Sequence, residues 1–165
     1  MGDSSIVVTH PNRDKPESKA TKGAVVLLLL TSAALIAIVT IGGWSALQGA
    51  QIGAIAYVLI YLVSAYYVSR WNRGILPVAA ALAIIFAVIA AVAGPPWFDR
   101  DKAGFDDPAL PPGILGLLTL IIVPVQVLLI AFAMRGFRQE WNVEVEVRRD
   151  DPYAGPGGTP QSAPA

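Results

Sequence analysis

"GAVVLLLLTSAALIAIVTIGGWSAL", residues 23–47, contains no Asp, Glu, Lys or Arg, and the charge-free stretch continues to Ser69. A helix rises 1.5 Å per residue, so about 20 residues cross the roughly 30 Å hydrocarbon core of a bilayer. A run of this length and composition therefore reads as a membrane span. A secretory signal would have an apolar region of only about 7–15 residues before a small-residue cleavage site. Here the run is longer and passes into a second apolar segment, so a retained span is expected.

The same signature recurs outward from this segment. Residues 74–98 and 110–134 are also free of charge. The chain is 55% apolar and 15% charged, against about 25% charged in soluble domains. Four spans follow, at about residues 23–47, 50–69, 75–94 and 113–134. In lipid each backbone N–H and C=O must be satisfied within its own segment, which makes the spans helices. The expected fold is an all-α integral membrane protein, a four-helix bundle with an outward loop at 95–112. Residues 1–22 and 150–165 are polar or rich in Pro, Gly, Ser and Ala, and read as disordered tails.

Orientation follows from Lys and Arg in the connections. Arg13, Lys15, Lys19, Lys22, Arg70, Arg73, Arg135, Arg138, Arg148 and Arg149 fall on one side, and Arg100 and Lys102 on the other. This bias places both termini in the cytoplasm of a multi-pass plasma-membrane protein. Trp44, Trp71, Trp97 and Trp141 fall near span ends, where interfacial anchors are expected.

Lipid offers no hydrophobic drive for helix association, so small residues that permit close approach carry weight. Ala79, Ala83, Ala87 and Ala91, spaced by four, predict a packing ridge and a central third span. Gly49 and Gly53 form a GxxxG at the start of the second span. Tyr57, Tyr61 and Ser64 make a polar-aromatic stripe there, expected to face the bundle or a partner chain. In the fourth span Pro124 should kink the helix, and Gln126 is the one carboxamide deep in any span.

The chemistry is sparse. There is no cysteine and a single histidine, His10, in the N-terminal tail. That removes disulfides, thiolate sites and paired His ligation of haem within the spans. A net charge of zero gives no sign of nucleic-acid binding. No acid or base lies inside a span, unlike proton-coupled transporters and four-helix multidrug exporters. "MGDSSI" misses a myristoylation signal at Ile6. No hydrolase elbow, zinc-protease pair or phosphate loop is present, so no catalytic activity and no cofactor are expected.

Two segments remain as candidates. "DRDKAG" in the loop sets Asp99, Asp101 and Gly104 at positions 1, 3 and 6 of an EF-hand-like loop, but positions 5 and 12 are Ala103 and Leu110. Asp106 and Asp107 could contribute to an irregular metal site; the alternative is a solvated connector. In 135–149, "WNVEVEVRR" alternates apolar and charged residues with the period of a strand. A lone strand is unstable, so it needs an edge on a partner or a second copy, or else is merely extended. Three functions stay open: a non-catalytic accessory, assembly or stabilising subunit that meets a protein partner or itself in the bilayer; a small oligomeric transporter or channel lined by Tyr57, Tyr61, Thr119 and Gln126; and an outward-facing binding or sensing module built on the aspartate loop.

Overall fold

The structure is a computed structural model that describes residues 6–100 and 107–148. Its elements are strand β1 (Ile6–Thr9), the single turn α1 (Pro11–Asp14), α2 (Pro16–Gly42), α3 (Gln51–Ser69), α4 (Ile75–Ala93), α5 (Pro112–Arg138) and strand β2 (Val145–Arg148). Short 3-10 turns follow α2 and α4, at Trp44–Ala46 and Pro95–Asp99. Four helices are long and apolar enough to span a membrane. The chain is a multi-pass, predominantly helical membrane protein.

The first span starts earlier than its charge-free run. α2 begins at Pro16, whose fixed φ and missing N–H suit a first helical position. Ser18 and Thr21 are buried and continue the face of Val25, Leu29, Ser32, Ala33 and Ile36 at helical spacing. Helical periodicity therefore extends through a segment that composition alone marks as tail. Residues 6–22, expected to be disordered, are instead β1, α1 and the opening turns of α2.

The order of packing also differs from expectation. α2 packs on both α3 and α5, and α5 on both α2 and α4, whereas α3 and α4 scarcely touch. The central pair is thus α2 and α5, and the third span lies at one side. Ala79 and Ala83 are fully buried, but Ala87 is half-buried and Ala91 exposed. Residues four apart advance about 400° in a helix of 3.6 residues per turn, so a strict four-residue ridge drifts about 40° at each step. The face that packs instead follows Leu76, Ala79, Ala83, Ala90 and Gly94.

Both tails emerge at the same end of the bundle, as an even number of spans requires. There β1 and β2 pair antiparallel, Val7 opposite Val147 and Thr9 opposite Val145. The strand pattern at the C-terminal side finds an edge on the chain's own N-terminal segment. Trp141, between α5 and β2, is fully buried, with its ring edge-on to Trp71 at 5.2 Å. At the loop end Trp97 is also buried, against Val39, Ala46 and Leu115. A Cβ on Gly43 would come within 2.6 Å of the Trp97 ring, so glycine there makes room for it. Two of the four tryptophans are therefore internal packing elements, while Trp44 is exposed.

Candidate functional site

Three buried polar side chains, one from each of α2, α3 and α5, meet inside the bundle. The Tyr61 hydroxyl on α3 donates to Gln126 Oε1 on α5 at 2.8 Å. Gln126 Nε2 donates to Ser32 Oγ on α2 at 2.9 Å, and Ser32 donates to its own helix at Leu28 O, 2.8 Å away. All three side chains are fully buried. This bridge ties the central pair to α3, and it satisfies a carboxamide that would otherwise be costly in hydrocarbon. Sequence reasoning found Tyr61 and Gln126 but missed Ser32. The available signal was its position, on the buried stripe of α2 between Leu29 and Ile36.

The other polar residues of the spans are placed differently. Tyr57 is half-buried, packed 4.6 Å from the Phe86 ring and edge-on to Tyr61. Ser64 is buried one turn beyond Tyr61. Thr40 and Thr119 return their hydroxyls to Ile36 O and Leu115 O, each at 2.7 Å. They turn little polarity outward. α5 runs unbroken through Pro124, whose ring faces away from the bundle.

Where α3 and α4 part, toward the loop end, an apolar cleft of about 290 Å³ opens. Ala50, Gly53, Ala54 and Tyr57 form one wall, Phe86, Ile89, Ala90 and Ala93 the other, and Thr119 and Ile122 part of the floor. The connection between α3 and α4 lies at the tail end, so the two helices are held together there and free to diverge at the other. Among the described residues, a Cβ at Gly49 or Gly53 would meet no neighbouring side chain or other helix within 4 Å. Gly49 lies outside α3, at φ +99°, a turn conformation that favours glycine. The expected GxxxG contact is therefore not an internal one.

Asp99 and Asp107 are exposed, and Asp101 and Asp106 lie outside the described residues. Among the described residues no group of three or more His, Asp or Glu is placed to hold a metal ion. Arg100 lies 4.9 Å over the Trp97 ring and donates to Ala46 O at 3.2 Å, fixing the loop's first turn to the bundle.

At the tail end the polar contacts are dense. Arg13 Nε donates to Trp141 O at 2.8 Å, and Asn12 to Glu140 O at 3.1 Å. Arg73 donates to Phe137 O at 2.7 Å and to Asn142 Oδ1 at 2.8 Å. His10 and Glu144 approach to 3.2 Å across the sheet. This network closes the bundle's tail end with the chain's own termini. It was hard to foresee, because its acceptors are mainly backbone carbonyls at the end of α5 and just beyond it. Compared with the models of known protein families, with curated proteins and with solved structures, the chain matches none.

Proposed function

We propose that this protein is a non-catalytic accessory or assembly subunit of a plasma-membrane complex, with both tails in the cytoplasm, and that it receives a partner's transmembrane helix at the cleft between α3 and α4. The cleft carries the proposal. α3 is the span least covered by its own chain, with 22% of its apolar window buried against 39% for α2. Its small residues Ala50, Gly53 and Ala54 lie on the cleft wall, and small residues are what membrane helix contacts use for close approach. A helix is about 10–12 Å across with its side chains. A space of about 290 Å³ thus takes the side chains of one neighbouring helix, with the helix itself lying across the opening.

The bridge of Tyr61, Gln126 and Ser32 supports a structural role over a conducting one. Its polar groups are spent on each other, and the cleft beside it is apolar. A photoreactive residue in place of Ile89 tests the proposal in intact membranes, with Val127, exposed on α5, as the comparison site. One discrete protein adduct from position 89 and none from 127 is expected. Lipid adducts alone, or the same protein adducts from both sites, would exclude the cleft as a docking face.

A further inference from the structure

At the tail end a recess of about 360 Å³ opens between the start of α2 and the end of α5, lined in part by Lys15, Glu17, Ser18, Arg138 and Glu140. α2 is 27 residues long and no side chain caps its N-terminus. The N–H groups of Ser18 and Lys19 both go to Lys15 O, at 3.1 and 3.2 Å, and Pro16 has none. The Glu17 N–H is left without an acceptor among the described residues, at the positive end of the helix dipole.

Ser18 is an independent observation pointing the same way. It is 2% exposed and lines the recess, and its hydroxyl has no hydrogen-bond partner among the described residues. Among the described residues no buried side-chain oxygen or nitrogen is sealed in without a partner. The Ser18 hydroxyl is therefore reached from the recess. Thr21, one turn on, shows the contrast: it donates to Glu17 O and accepts from Gln139.

Lys15 and Arg138 bring two positive charges, and neither forms an ion pair among the described residues. Glu17 and Glu140 also line the recess and limit its positive field, which favours a singly charged ligand over a dianion. Ser18 stands five residues before the charge-free run at Gly23, about 7 Å along the helix. The headgroup layer on each side of the hydrocarbon is about 5–8 Å deep, so the recess lies at the level of lipid phosphates.

We propose that this recess binds a singly charged phosphoryl group. The Ser18 hydroxyl and the Glu17 N–H donate to its oxygens, and Lys15 and Arg138 supply the counter-charge. The full chain, labelled with ¹⁵N in nonionic detergent micelles, is titrated separately with dihexanoyl phosphatidylglycerol and with inorganic phosphate at mildly acidic pH. Saturable shifts of the Glu17 and Ser18 amides are expected. Ser18→Ala should weaken binding about tenfold, the effect of one hydrogen bond to a charged acceptor, and Arg138→Gln should weaken it too. Response to phosphatidylglycerol alone assigns the site to a lipid headgroup, and equal affinity for both probes assigns it to free phosphate. Absence of saturable shifts at these amides with either probe overturns the proposal, as does unchanged affinity in Ser18→Ala. If Ser18→Ala disturbs the amides of the spans, the exposed Arg138→Gln carries the test, and unchanged affinity there is equally fatal.

Discussion

Tyr61→Phe and Gln126→Leu, singly and together, probe the bridge that joins α2, α3 and α5. Tyr61→Phe removes a 2.8 Å hydrogen bond and leaves Gln126 Oε1 without its donor. Interhelical hydrogen bonds in membranes average about 0.6 kcal/mol, and model peptides give about 1–2. Removing one partner and leaving the other unsatisfied costs about 1–3 kcal/mol in all, and the low membrane average sets the expected loss at about 1–2 kcal/mol. Gln126→Leu removes two bonds and strands the Tyr61 hydroxyl, for about 2–3 kcal/mol. The double variant strands neither group of the broken pair and should cost no more than Gln126→Leu alone. That amounts to a coupling of about 1–2 kcal/mol, well beyond the roughly 0.5 kcal/mol scatter of independent sites. Equilibrium unfolding in mixed micelles of rising dodecyl sulfate fraction, followed by tryptophan fluorescence, supplies the four free energies. Additive losses would refute the bridge as the tie between these helices.

Gly136→Ala and Gly53→Ala should separate in the same assay. A Cβ at position 136 would lie 3.0 Å from the buried Trp141 ring and 3.2 Å from Leu76, costing about 1–3 kcal/mol through overpacking. At position 53 a Cβ meets nothing, and alanine should leave the isolated chain unchanged or up to about 1 kcal/mol more stable. Deleting residues 6–9 takes away the partner of β2; amide exchange at 145–148 should become fast while the spans keep their protection. Since the chain has no cysteine, single cysteines report sidedness. Asp107→Cys should react with an impermeant thiol reagent on intact cells, and Asn142→Cys only after the membrane is opened.

Four spans were legible because lipid imposes one simple rule, length without charge, and residues 23–47 satisfy it alone. Helix neighbours were less legible. The alanine series 79, 83, 87 and 91 matches a period of four, and the helix turns at 3.6, so its last member points away from the bundle. Gly49 and Gly53 fit a packing motif, yet one is a turn residue and the other faces an opening. Gln126 and Tyr61 could be flagged as polar residues in apolar helices, but not as each other's partners, since pairing depends on which helices adjoin. The strand pattern of 143–147 was visible, and its partner was not. "IVVT" is too short and too near a polar tail to announce a strand until the topology brings it beside the other terminus.

The central claim is that the chain works through the α3 and α4 side. Ala54 lines the cleft and is half-buried, so Ala54→Trp fills the opening without touching the bridge. Native mass analysis of gently extracted complexes should show the wild-type chain bound to one larger protein at fixed stoichiometry, and Ala54→Trp as a folded, released chain. A wild-type chain that runs alone, or a complex that survives Ala54→Trp unchanged, would contradict the account.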